Sequence, residues 1–411
     1  MEFFDILAIV MSLTAGFAYV NHRFIGLPVT IGVMVMALLA SVLLQVIDLL
    51  GFHLGDHAAR WLQAIDFNAT LLHGMLSYLL FAGALHVKLE DLHDQKWTIG
   101  LLATVGTIVS TVLVGVITWW VLDLLNVPLP FVMCLVFGAL ISPTDPIAVL
   151  GILKNAGAPK SLEVKITGES LFNDGVGVVI FLLLAEVAIG THEPTAGHVI
   201  GLFAQEAIGG GIFGLALGGV AYGLLKSIDQ YHVEVIITLA LVTGGYALAN
   251  ALHLSGPIAI VVAGLLIGNQ GRQFAMSAQT REQLDGFWEL LDEILNAVLF
   301  VLIGLEVLVL TFTQEYLFAS LALIPLILLC RLVAIGVPLT VLRRIRTFTP
   351  GAVWLMTWGG LRGGISVALA LSLPPGPERD LILAITYAVV VFSIVVQGLT
   401  MEKLVKRLVP S

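Results

Sequence analysis

Charge is what this sequence has least of. Only 11% of its 411 residues are Asp, Glu, Lys or Arg, where a soluble domain carries roughly a quarter. With 58% apolar residues and a mean hydropathy of +1.02, the chain has more apolar surface than it can hide in a core of its own. That excludes a soluble globular protein and requires lipid. Basic patches interleaved with aromatics are also missing, and the net charge is −9, so no nucleic-acid partner is expected. Cysteine is nearly absent: Cys134 and Cys330 both fall in apolar runs, which argues against a disulfide framework. A basic leader is lacking as well. Glu2 and Asp5 follow Met1, and the first apolar run is expected to stay in place, not to be cleaved as a signal peptide.

What is present is a succession of apolar runs of bilayer length, about 20 residues each. Thirteen are expected, at roughly 3–20, 27–49, 68–86, 97–124, 129–153, 163–190, 199–226, 232–250, 256–270, 288–312, 316–343, 351–374 and 380–402. The predicted fold is therefore an all-α polytopic membrane protein. A single transmembrane unit covers 1–402, with a short tail at 403–411. Placing the N-terminus outside and alternating the spans puts 15 of the 19 basic residues in inner loops. Arg60 and Arg379 are left outside, and Arg331 and Arg362 lie within spans. This is the asymmetry of the positive-inside rule, and it places the C-terminus in the cytoplasm.

Two runs are interrupted. Span 5 carries Ser142-Pro143-Thr144-Asp145-Pro146, where two prolines remove helix hydrogen bonds. Span 12 carries Gly359-Gly360-Leu361-Arg362-Gly363-Gly364. A proline kink and a glycine packing face are the plainer readings of each alone. Seven spans apart, the two run in opposite directions, and paired interrupted helices in inverted halves point to a transport site at the midplane.

Ionisable groups within a bilayer are costly, which makes each one a functional candidate. The densest group here is Thr144, Asp145, Glu169, Ser170, Asn173, Asp174, Arg331 and Arg362. In span 6, Ser170 and Asp174 share a helix face, as do Glu169 and Asn173. Glu169 and Asp174 are about 140° apart around the helix. One cation does not easily use both, so Glu169 is expected to pair with a buried arginine and Asp174 to stay available. Asp174, Ser170, Thr144 and Asp145 offer the oxygen ligands that a hard cation such as Na⁺ prefers. Dipole arguments give Asp145 and Arg362 a structural alternative: the positive end of a half-helix favours Asp145, and the negative C-terminal end in span 12 favours Arg362.

The motifs are specific. Gly168-Glu169-Ser170-Leu171-Phe172-Asn173-Asp174-Gly175 resembles the signature of the monovalent cation:proton antiporter 1 family, which includes NhaP-type antiporters and animal sodium/proton exchangers. Residues 142–150 and 358–366 match the same family in the same order. The resemblance implies an antiporter fold of the NhaA/NhaP type, with two inverted repeats and two crossing broken helices, usually a homodimer. Spans 5, 6, 12 and 13 would lie in the moving core. The implied activity is an elevator-like exchange of Na⁺ or Li⁺ for H⁺ across a prokaryotic cytoplasmic membrane, without a cofactor. Asp174 would be the shared cation and proton carboxylate and Asn173 its neutral neighbour, which suggests electroneutral one-for-one exchange. Glu169 would bridge to Arg331. One departure stands out: some members carry a span 3 glutamate, but the comparable stretch here is Phe81-Ala82-Gly83. A K⁺/H⁺ antiporter therefore remains the alternative.

Burial disfavours the charged form of Asp174, so proton and cation compete for it, and only the neutralised site crosses a dry path cheaply. A passive channel and an intramembrane enzyme are the rival classes. For the latter, Ser170 is the tempting nucleophile, but no histidine or lysine base stands convincingly against it and no HExxH metal motif occurs. His73 and His86 read as interfacial residues. Glu186, Glu206 and Glu234 are expected at span ends, and Glu306 has no evident partner; Asp292 and Glu293 fall at the inner mouth of span 10, where they could attract cations, although a solvated helix end is the plainer reading. Gly209–Gly211, Gly214 and Gly218 read as close helix packing, at a dimer contact or an internal seam alike.

Overall fold

Proline and hydroxyl residues mark where many of the helices begin. Pro28, Pro130 and Pro159 directly precede helices, Ser255, Ser277 and Thr313 cap others by accepting a backbone N–H, and Pro377 opens another. Each uses a position where the missing or orphaned N–H costs nothing or is satisfied. The computed structural model describes residues 3–51, 74–190, 204–310, 313–343 and 348–408, with isolated residues 55, 70, 197 and 201.

In chain order the helices are α1 (Phe3–Val20), α2 (Val29–Leu49), α3 (Leu76–His86), α4 (Leu89–Leu101), α5 (Thr107–Leu124), α6 (Phe131–Ile141), α7 (Ile147–Asn155) and α8 (Lys160–Ile189). They continue as α9 (Gly210–Lys226), α10 (Tyr231–Ala251), α11 (Gly256–Leu266), α12 (Ala278–Glu306), α13 (Gln314–Leu342), α14 (Ala352–Trp358), α15 (Gly364–Leu371), α16 (Pro377–Phe392) and α17 (Leu399–Leu408). Among the described residues, the sole extended pairing is an isolated antiparallel bridge between Asp145 and Leu361. Among the described residues, eight continuous helices are long and apolar enough to cross a membrane. Helices α3 and α6, with 11 residues each, are apolar but shorter.

Helix ends differ from the apolar runs in an instructive way. The run expected at 97–124 begins at Leu89 and is one helix through a π turn at Leu102–Gly106. The run expected at 288–312 begins at Ala278 and ends at Glu306. The last helix continues through a π turn at Ser393–Gly398 to Leu408, into the segment assigned to the tail. Hydropathy marks the apolar middle, whereas these ends are amphipathic: Met401 and Val405 are buried while Glu402, Lys403 and Lys406 are exposed. Conversely, Pro325 and Pro338 do not interrupt α13; neighbouring helices and local adjustment satisfy the freed carbonyls in such settings. Arg60 and, at the start of the third run, residues 68, 69 and 71–73 (His73 among them) lie outside the described residues.

Two apolar cores result. The larger joins α1, α2, α5–α8, the second half of α12 and α13–α17. The smaller joins α3, α4, Leu171 of α8, α9–α11 and the first half of α12. The glycine seam of α9 is internal: a Cβ on Gly210, Gly214 or Gly218 would run into α11 or the residue capping it, whereas Gly211 faces open space. Glu234, expected at an interface, is fully buried on α10.

Candidate functional site

Both interrupted runs are broken where their prolines and glycines predict. Helix α6 stops at Ile141 and α7 resumes at Ile147; α14 stops at Trp358 and α15 resumes at Gly364. The two breaks cross, and Asp145 donates its N–H to the Leu361 carbonyl at 2.9 Å. A broken helix exposes backbone groups that must be satisfied when no water is near, and at this crossing side chains do so.

Arg362 donates to the carbonyls of Ser142 (2.5 Å) and Pro143 (2.8 Å). It therefore sits at the negative C-terminal end of α6, in the other broken run, and not at the end in span 12 where its own sequence neighbourhood suggested. Asp145 lies against Gly363, at the positive N-terminal end of α15; a Cβ on Gly363 would come within 2.7 Å of the Asp145 Cβ. Each run thus supplies the charge that faces a helix end of the other, the arrangement favoured by helix dipoles. The π turn of the last helix completes the span 12 break. Ser393 Oγ accepts the Arg362 N–H at 3.0 Å, and Gln397 Nε2 donates to the Trp358 carbonyl at 2.8 Å.

Helix α8 holds the other break by one face. Asn173 clamps Thr144 reciprocally: its Nδ2 donates to Thr144 Oγ1 (3.0 Å) and its Oδ1 accepts the Thr144 N–H (3.2 Å). Ser170 Oγ donates to the Thr144 carbonyl. One turn on, Gly177 makes room for the Pro143 ring, which a Cβ would strike. Asp174 lies between these contacts, 7% exposed, and Asp145 is near enough to act on it electrostatically. On another face of α8, Glu169 pairs with Arg331 of α13, with Nη1–Oε1 at 2.9 Å and Nη2–Oε2 at 3.2 Å. Arg331 also donates to the Met356 carbonyl of α14 at 3.3 Å. Both partners are buried.

Asp174, Thr144, Asp145 and Ser170 line one cavity of 760 Å³. Its wall includes Ala82 and Gly83 of α3, where no carboxylate is present, and its mouth carries Lys88, Asp91, Lys160 and Glu163. Lys160 and Asp91 form an ion pair there at 2.8 Å. Neither Glu169, Asn173 nor Arg331 lines the cavity. Chemically, the Asp174 carboxylate and the Ser170 and Thr144 hydroxyl oxygens remain able to meet a hard cation, while the Thr144 carbonyl is already used by Ser170.

Sequence reasoning passed over four participants. Ser393, Gln397 and Gly177 are small or neutral groups in apolar runs, signalled only by spacing: Gly177 is three residues from Asp174. The fourth is Asn296 of α12, which lines the cavity one turn beyond Asp292, a residue the sequence placed at the helix mouth. Glu306, left without a partner, lies within electrostatic range of Arg379 at the start of α16.

Apolar helices of membrane length, arranged around two crossed and broken ones with a buried carboxylate at the crossing, define a polytopic membrane protein of the antiporter fold. Over its full length the chain matches the sodium proton antiporter MjNhaP1 of Methanocaldococcus jannaschii, with a TM-score of 0.78, 18% identity and 100% of both chains covered. The chain belongs to the family described as sodium/hydrogen exchanger, transmembrane, which it matches over residues 9–407. Relatives include the Na(+)/H(+) antiporter NhaP of Pseudomonas aeruginosa, 52% identical over 98% of this chain and 96% of that one. The Na(+)/H(+) antiporter NhaH of Halobacillus dabanensis is 36% identical over 86% and 87%.

Proposed function

We propose that this protein is a secondary active antiporter that exchanges Na⁺, or Li⁺, for H⁺ at Asp174. The observation that carries the proposal is the placement of this carboxylate: buried on α8, on the wall of a cavity, beside the crossing of the two broken helices. Names of the relatives specify Na⁺/H⁺ rather than K⁺/H⁺ exchange, which favours Na⁺ over the K⁺ alternative.

In this mechanism Asp174 takes either a proton or a cation. With either, the site is neutral; with neither, a bare carboxylate would have to cross a dry path at a prohibitive desolvation cost. Exchange is thereby obligatory. Thr144, Ser170 and Asp145 supply further oxygens, while Asn173, Glu169–Arg331 and Arg362 hold the breaks in register. Because Asn173 carries no charge, one titrating group per cycle gives electroneutral one-for-one exchange. The cavity mouth, with Lys88 and Lys160, is the cytoplasmic one by the distribution of basic loops. A homodimer in the cell membrane, with N-terminus outside, C-terminus cytoplasmic and a core built on spans 5, 6, 12 and 13, completes the proposal. It suits a role in pH homeostasis.

The test is exchange in proteoliposomes carrying the purified protein. A pH step should drive uphill Na⁺ and Li⁺ movement, with K⁺ much less effective, and a clamped voltage should leave the rate unchanged. Downhill-only flux would make it a channel; current in proportion to transport would refute electroneutrality.

A further inference from the structure

The proposed exchange leaves one wall of the cavity without a role. On α12, Asp292, Asn296 and Leu299 are spaced i, i+4, i+7 and share a face, and all three line the cavity. Leu299 fixes the direction of that face: a Cβ on Gly364 would come within 2.6 Å of its Cδ1. The face therefore points at the start of α15, where Gly363 abuts Asp145. Asp145 lines the cavity with both Asp292 and Asp174 and is near enough to act electrostatically on each.

Asn296 distinguishes this wall from a mere acidic lining. It is 0% exposed, and it is close enough to Asp292 to act on that carboxylate. Its Nδ2 has only the Asp292 carboxylate to turn to, and among the described residues its Oδ1 has no partner of hydrogen-bond geometry. A buried amide left so in a polar cavity is the exception in folded proteins and calls for a missing partner. A carboxylate and an amide oxygen one turn apart are oxygen ligands suited to a hard monovalent cation.

We infer that Asp292 and Asn296 form a second binding site for the transported monovalent cation, on the access path and passed before Asp174. Resting on the exchange reading above, it gives the α12 wall a role, taking a partly dehydrated ion and handing it past Asp145. It also supplies a carboxylate to a cavity whose α3 wall has none, Ala82 and Gly83 standing there between Leu80 and His86. A general negative field at the mouth would raise the local cation concentration without any such site, but a neutral amide contributes nothing to that field. Asn296 is therefore the residue that separates the two.

The experiment is equilibrium binding of ²²Na⁺ to the purified full-length protein, paired with exchange in proteoliposomes. Asp174→Asn, which removes the exchange carboxylate, should retain saturable Na⁺ binding. Adding Asn296→Ala or Asp292→Asn to it should abolish that binding. Alone, Asn296→Ala should raise the Na⁺ concentration for half-maximal exchange by about tenfold, the loss of one ligand to a charged group, at both low and high choline chloride. Asn296→Asp, which keeps an oxygen ligand, should retain binding and shows that the position tolerates change. Absence of Na⁺ binding in Asp174→Asn, beside a wild type that binds, overturns the second site and leaves the exchange reading intact. So does an unchanged half-saturation in Asn296→Ala. A wild type that binds Na⁺ without exchanging it would instead sink the exchange reading.

Discussion

Asn173 shows what one neutral side chain does at this crossing. An amide both donates and accepts, and Asn173 uses both abilities on Thr144. Replacing it with Ala leaves the Thr144 N–H and hydroxyl without these partners in a buried place, at about 1–3 kcal/mol per unsatisfied group. Asn173→Ala is therefore expected to lower the melting temperature in detergent and to slow exchange, although Asp174 is untouched. Asn173→Asp differs: a carboxylate only accepts, but it can still take the Thr144 N–H, and the Thr144 hydroxyl can turn to donate. That variant should fold, and its second charge should make exchange respond to voltage in a clamped proteoliposome assay; an unresponsive rate would count against the one-carboxylate reading. The residue types at the site were legible because charges are so scarce in this chain. What hid Asn296 was the opposite: a single uncharged amide in an apolar run gives no signal until its neighbours in space are known.

The breaks illustrate how elements share their orphaned groups. Prolines at 143 and 146 and glycines at 359, 360, 363 and 364 made the interruptions readable, but not which break serves which. Arg362 reaches the carbonyls of Ser142 and Pro143, a contact between residues some 220 apart that local helix logic assigns to its own run. Gly363 is small because Asp145 lies against it. Gly363→Ala should therefore displace Asp145 and cut exchange sharply while the protein still elutes as a folded species in gel filtration. The Glu169–Arg331 pair ties α8 to α13, and through the Met356 carbonyl to α14. Removing one partner of a buried pair strands the other charge at about 3–5 kcal/mol. Arg331→Ala should thus lower thermal stability markedly; an unchanged melting curve would mean that the pair does not hold these helices.

For the whole molecule, the cavity makes a claim about sidedness. The native cysteines, Cys134 and Cys330, are both buried, so a cysteine introduced at Thr167 on the cavity wall meets a silent background. An impermeant thiol reagent should modify Thr167→Cys from the face bearing Lys88 and Lys160, and Na⁺ should slow the reaction. Labelling from the opposite face alone would invert the proposed topology. Apolar runs conveyed the helical, membrane-embedded fold and the positions of most helices, since the bilayer imposes one length scale on all of them. They did not convey the amphipathic ends of α4, α12 and α17, which follow from packing rather than hydropathy, nor which walls enclose Asp174. The most direct measurement of the proposed exchange is Na⁺-dependent proton movement in proteoliposomes, comparing wild type with Asp174→Asn. A folded Asp174→Asn protein should show none, at any Na⁺ concentration; proton movement at the wild-type rate would contradict competition at this carboxylate.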